Sequence, residues 1–162
     1  MTKAGTTKIE ILTALLLIGI LGVVAVGAVS NARSRTRDAV RLSDVRQVQA
    51  GLELYFNDFN TYPVPTDVTP LGQASTRCLS ENGFSASCTP SLETVYMDVV
   101  SPTPTKGLKK LSSCGGVTNA YCYLADDQSY VVQFELENNL DALGLTKGLN
   151  CARETGIEAG GC

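Results

Sequence analysis

Histidine and tryptophan are both missing from this chain of 162 residues. Without histidine there is no Ser-His-Asp or Cys-His nucleophile and no mixed Cys/His zinc site. No two cysteines stand in a C-x-x-C pair, so the usual all-cysteine metal motifs are absent too. Neither a G-x-G-x-x-G turn nor a G-x-x-x-x-G-K-[ST] loop occurs, which removes the phosphate cradles of dinucleotide and nucleoside triphosphate sites. Nothing remains that reads as an enzyme, and the sequence calls for no metal and no cofactor. It also holds no N-x-[ST] glycan acceptor. Two further absences concern shape. Proline does not occur before Pro63, and no charge interrupts residues 11–29.

What is present is unevenly spread. Overall the chain is 44% hydrophobic with a formal net charge of −3, but the apolar content is concentrated near the start. Residues 11–29 contain one weakly polar side chain, Thr13. As a helix they reach about 28 Å, close to the hydrocarbon thickness of a bilayer at about 30 Å. This is longer than the apolar region of a secretory signal, so Val26-Gly27-Ala28 reads as part of a retained span rather than a cleavage site. Beyond it, Leu42, Val45, Val48, Leu52, Tyr55 and Phe59 recur every three or four residues, an apolar stripe on a helix. Arg41, Asp44, Arg46, Gln47, Gln49 and Glu53 fall largely off that stripe. Gly51 is a mild flaw in it. Asn57, Asn60 and Pro63 end the element. With no breaker between span and stripe, a single helix of roughly 80 Å is expected.

All six cysteines (Cys78, Cys88, Cys114, Cys122, Cys151 and Cys162) follow the apolar run. An even number beyond a membrane span favours disulfides in an oxidising compartment. Six cysteines admit many pairings; the short gaps favour sequential ones. Orientation carries a conflict. Lys3 and Lys8 precede the span, whereas Arg33, Arg35, Arg37 and Arg41 follow it, which by the positive-inside rule would keep the C-terminal part in the cytoplasm. The cysteines are the stronger signal and put it outside.

In the C-terminal part, "AYCYLADDQSYVVQFELENN" reads as a hairpin. Tyr121 and Tyr123 alternate with Cys122 and Leu124, then Tyr130, Val132, Phe134 and Leu136 alternate with Val131, Gln133 and Glu135. One face of that sheet can cover the helix stripe in a two-layer α+β arrangement. The segment "PVPTDVTPLGQASTRCLSENGFSASCTPS" reads as loop, "SLETVYMDVVSPTPTKG" as a short helix or strand, and the Gly-rich tail as weakly patterned. Asp126 and Asp127 read as turn residues. Together with Asp141 they could ligate calcium only in a spacing that matches no calcium loop. The arginines between Arg33 and Arg46 lack interleaved aromatics in an acidic protein. They therefore read as a solvated or lipid-headgroup-facing helix, with no nucleic-acid partner expected.

The stretch "GTTKIEILTALLLIGILG" is the most informative. A glycine, then a glutamate five residues on, then an uncharged span resembles the class III leader of type IV pilins and type II secretion pseudopilins. "LLLIGILGVVAVGAVSNARSRTRDA" and "RLSDVRQVQAGLELYFNDFNTYP" are similar to that family's helix, over about the first 63 residues. The family usually opens its mature chain with Phe, where this chain has Thr6, and has an apolar third residue, where it has Lys8. The resemblance implies a leader at residues 1–5, cut between Gly5 and Thr6 by a prepilin peptidase, with Thr6 the candidate for N-methylation. It implies a transmembrane and assembly half at 6–30, packed through Ile11, Leu15, Ile18, Leu21 and Val24, and a globular domain at 31–162 with a variable loop, antiparallel sheet and cysteine-rich tail. Glu10 becomes the charge that sets subunit register against the α-amine of Thr6 in the next subunit; the plainer reading is a helix-start carboxylate favoured by the dipole. The implied partners are copies of itself in a helical polymer, the peptidase, an inner-membrane assembly platform, and lipid before assembly. The implied location is the cytoplasmic membrane first and an extracellular filament afterwards. Within the same family the alternative is a secretion pseudopilin or a minor pilin serving export, DNA uptake or adhesion. A membrane-tethered binding module is the rival from another class.

Overall fold

The missing prolines and the unbroken run of apolar and striped residues give one continuous helix, α1 (Lys8–Phe59), in the computed structural model, which describes residues 7–162. Its 52 residues reach about 78 Å at 1.5 Å each. Thr7 caps the start with extended backbone angles, its hydroxyl accepting from the Glu10 N–H while Glu10 accepts from the Thr7 N–H in a capping box. Asn60 ends the helix in the left-handed conformation (φ 54°) and donates its N–H to the Phe56 carbonyl at 2.7 Å. Thr13, the polar residue inside the apolar run, donates its hydroxyl to the Glu10 carbonyl at 3.0 Å.

Among the described residues ten short strands follow. They are β1 (Thr69–Leu71), β2 (Cys78–Ser80), β3 (Gly83–Ser85), β4 (Val95–Met97), β5 (Ser113–Cys114), β6 (Val117–Thr118), β7 (Tyr121–Ala125), β8 (Tyr130–Leu136), β9 (Gly148–Arg153) and β10 (Gly156–Ala159). The main sheet is antiparallel in the order β1-β7-β8-β9-β10. A three-stranded sheet β3-β2-β4 and the β5-β6 pair flank it. The architecture is α+β.

The core lies where the stripe meets the main sheet. Leu42, Val45, Val48, Leu52 and Tyr55 are buried against Tyr121, Tyr123, Tyr130, Val132, Phe134, Leu136 and Ala152. All but Ala152, which comes from β9, are the alternating positions expected of the hairpin. Its outer face is not left to water. Cys122 sits in a second cluster with Cys114 and Ala120. Glu135 is buried under the preceding loop, whose Lys109 and Leu111 N–H groups donate to it at 2.5 and 2.9 Å. Phe59, the last residue of the expected stripe, is 44% exposed and instead lies edge-on to Tyr96. Tyr62 stacks on Phe56 and meets Tyr130 edge-on, which turns the chain back onto the sheet.

Two segments differ from their sequence reading. The loop after Pro63 holds β1, β2 and β3, and the tail forms the β9–β10 hairpin. Strands of three residues are too short to show alternation, and the tail's glycines dilute its pattern. The ambiguous segment before Pro102 contains a strand, β4. The disulfides are sequential: Cys78–Cys88, Cys114–Cys122 and Cys151–Cys162, spanning 10, 8 and 11 residues. The last ties the C-terminus back to β9, where a free end would fray.

Gly51 faces the small sheet. A Cβ there would meet Leu79 and Met97 side chains at 3.5 Å, an ordinary contact, with helical backbone around it. Gly51→Ala should therefore stabilise the fold by up to about 1 kcal/mol, read as a higher thermal midpoint of the full chain in detergent. A lower midpoint would show that the helix and β4 need a closer approach than these distances indicate.

Candidate functional site

Helix α1 divides into two environments. Every residue from 7 to 33 is exposed; burial begins in earnest at Asp38. The bare part is apolar around its whole circumference over about five turns, long and apolar enough to cross a membrane and with none of that stretch buried. The candidate packing residues Ile11, Leu15, Ile18, Leu21 and Val24 all belong to it, with exposures from 51% to 67%. Contiguous apolar surface of this extent marks an interaction site rather than ordinary surface. Gly5 and Thr6, the expected cleavage and methylation positions, lie outside the described residues.

Glu10 stands at the third position of the helix. Its Oε2 accepts from the Thr7 N–H at 3.3 Å, and the unpaired N–H groups of the first turn add favourable dipole interaction. Within this chain it therefore acts as a capping carboxylate. Its other oxygen has no protein donor among the described residues, and an ionised carboxylate has acceptor capacity for several.

The boundary between covered and bare helix is a buried ion cluster that the sequence reading missed. Asp44 sits inside the stripe and Arg41 and Asp38 continue it towards the N-terminus, and all three are buried. This corrects the expectation of a solvated or headgroup-facing arginine group: Arg33, Arg35 and Arg46 are exposed, but Arg37 is half-buried and Arg41 fully buried. Arg41 is fully paired. Its Nη1 donates to Asp38 Oδ1 at 2.7 Å and to Glu137 Oε1 at 2.8 Å. Its Nε and Nη2 donate to the Pro104 carbonyl, and Nη2 also to the Lys106 carbonyl at 2.7 Å. Arg37 grips Glu137 with two parallel bonds of 2.6 and 2.7 Å, the strong fork geometry of arginine on carboxylate. Asp38 in turn accepts from the Glu137 and Asn138 N–H groups. The cluster thus fastens α1 to the end of β8 and to the loop around residue 105. Gly107 closes the loop over it. Its φ is +83°, and a Cβ there would fall on the Glu137 carboxylate.

Arg37, with its hydrogen bonds, holds the Glu137 carboxyl below the usual carboxylate range, helped by Arg41. Asp44 shows the opposite. Burial pushes it up, and the Tyr121 hydroxyl, donating at 2.9 Å, only partly offsets that.

The remaining acidic candidates are separated by role. Asp126 accepts from the Gln128 and Ser129 N–H groups and from the Ser129 hydroxyl, which makes it the organiser of the β7–β8 turn. Asp127 accepts from the Thr61 hydroxyl and its carbonyl from the Tyr62 N–H, pinning the chain after α1. Asp141 opens a short 3-10 turn. No group of three His, Cys, Asp or Glu residues among those described is placed to hold a metal ion.

No family model, curated protein or solved structure matches this chain.

The charges of the cluster and Asp44 differ in their effect on stability. Glu137, depressed when folded, contributes stability above its unfolded pKa that is lost as pH falls through the folded one. The thermal midpoint should therefore drop on acidification below about pH 4, and Glu137→Gln should lower the neutral-pH midpoint while flattening that drop. Arg41→Ala strands the buried Asp38 carboxylate, leaves Glu137 to Arg37 alone, and should cost about 3–5 kcal/mol. Asp44, raised when folded, opposes folding while ionised, so Asp44→Asn should leave the neutral-pH midpoint unchanged or higher. A neutral Arg41→Ala or a strongly destabilised Asp44→Asn would contradict this division.

Proposed function

We propose that this chain is the structural subunit of a type IV pilin-like extracellular filament. It is held in the cytoplasmic membrane by residues 6–30 until a prepilin peptidase cuts between Gly5 and Thr6, and is then assembled through packing of its N-terminal helices. The observation that carries the reading is the unbroken α1, whose C-terminal half is covered by its own sheet while its N-terminal half is bare and apolar all round, with Glu10 at its mouth. A plain anchor would also be bare. The glycine five residues before the glutamate favours assembly, because cutting there creates an α-amine close to the one carboxylate of the region.

Moved from the membrane edge into a bundle of helices, Glu10 would lose its water. A buried unpaired carboxylate is costly and demands a cation. The α-amine of Thr6 in the next subunit is that cation, and the pair would set the axial register. The capping box survives the cut, since it uses Thr7 and Glu10 alone. In the filament the bare helices form the centre and the disulfide-tied body the outer surface, with an oxidising exterior suiting all three bridges.

The mass of the N-terminus in cells tests the processing step. A chain beginning at Thr6 supports the reading, and one retaining Met1 or beginning after Ala28 defeats it. Glu10→Ala should leave membrane insertion intact and abolish filaments in sheared surface material viewed by electron microscopy. Normal filaments from that variant would remove Glu10 from the register role. Abundant filaments of this chain indicate a major subunit; their presence without it indicates a minor pilin or pseudopilin.

A further inference from the structure

Where α1 leaves the body, a groove of about 440 Å³ opens between the helix and the loop that covers the ion cluster. Its floor is Ala25, Val26 and Val29, the last turns of the apolar run, and its rim carries Arg33, Arg37 and Lys106. The three cations are not equivalent. Arg37 is committed to Glu137 through Nε and Nη2. Arg33 and Lys106 make no side-chain hydrogen bond or ion pair among the described residues, and both are exposed. The Lys106 carbonyl is taken by Arg41, so the ion cluster fixes the loop that presents the Lys106 ammonium. The groove therefore has an apolar floor continuous with the membrane-spanning face and, one helical turn beyond it, two free positive charges beside an already neutralised pair.

We propose that this groove seats an anionic phospholipid, its headgroup phosphate between Arg33 and Lys106 and its acyl chain along Ala25, Val26 and Val29. The occupant follows from the pairing of chemistries. A soluble anion would use the rim and leave the floor bare. A peptide acid would have no reason to sit at the membrane boundary. A lipid satisfies both parts at the depth where its phosphate lies. Guanidinium and ammonium groups are suited to phosphate, and cations at a membrane surface each add attraction to anionic lipid. The inference rests on the membrane-spanning half of the proposed function and not on filament formation. Its consequence is that the body is held at a set height and rotation on the bilayer before extraction, with the lipid exchanged when the groove is covered or pulled away.

The test uses the full chain reconstituted into phosphatidylcholine vesicles and into equal mixtures of phosphatidylcholine and phosphatidylglycerol. It reads co-flotation first, then the lipids retained after mild detergent extraction by native mass spectrometry. The expected result is flotation with both compositions and retention of phosphatidylglycerol over phosphatidylcholine by about 5-fold for each of the two cations. That preference should fall toward parity in Arg33→Gln/Lys106→Gln and persist in the control Arg35→Gln/Lys147→Gln. Equal preference in both double variants would overturn the groove while leaving the membrane span intact. Loss of bound lipid to inorganic phosphate at matched ionic strength would show an anion site without lipid and also overturn it. Failure to float with either composition would overturn the span and the groove together.

Discussion

Burial of α1 stops at Asp38. On one side of that point the chain provides its own cover, a sheet whose Tyr121, Tyr130, Val132 and Phe134 take the stripe from Leu42 to Tyr55. On the other, residues 7–33 are all exposed, although their composition is the most apolar in the chain. A helix cannot be cut at this line without exposing four N–H and four carbonyl groups, and no proline or cap invites a cut. The fold therefore carries a surplus of apolar surface by construction. In the proposed function lipid and then other copies of the chain cover it in succession.

The ion cluster decides where the line falls. Arg41 directs its donors to two carboxylates and two loop carbonyls, and Glu137 is gripped by Arg37 as well. Buried ion pairs are weak evidence for net stability, since desolvation offsets much of the attraction. Their geometry is exacting, however. A shift of the helix along the sheet by one turn would strand Asp38, Arg41 and Glu137 at once, whereas Leu42 or Val45 could find other apolar neighbours. Apolar burial supplies the bulk of the adhesion between helix and sheet, and the charges fix its register. The same cluster holds the loop that carries Lys106, so the register of the core also places that charge beside the end of the apolar run.

The helix, its two halves and the β7–β8 hairpin were legible because each is a long periodic pattern: 52 residues without proline, and Tyr130, Val132, Phe134 and Leu136 on every second position. The Asn60 stop was legible too. The cluster was not. Asp38, Arg41 and Asp44 continue the spacing of the stripe, but charged residues are read as surface, and the partner of Arg41 lies 96 residues away. Only the pairing of α1 with the end of β8 brings them together. The signal that could have revealed them is the helical spacing of the stripe itself, read through its charged positions and on to Arg41 and Asp38. The short strands β1 to β4 had no such signal, because three residues carry no period and their pairing is fixed by neighbours distant in sequence. The β9–β10 hairpin was obscured by its glycines, and its end is secured by Cys151–Cys162 rather than by apolar pattern.

The central claim is that the bare half of α1 is covered by copies of the same chain once assembled. A photoreactive amino acid placed at Leu21, in cells that assemble surface material, tests it directly. The account predicts a ladder of chain-to-chain adducts in the sheared fraction and lipid adducts in the membrane fraction. Lipid adducts alone in both fractions, with no multiples of the chain mass, would contradict it.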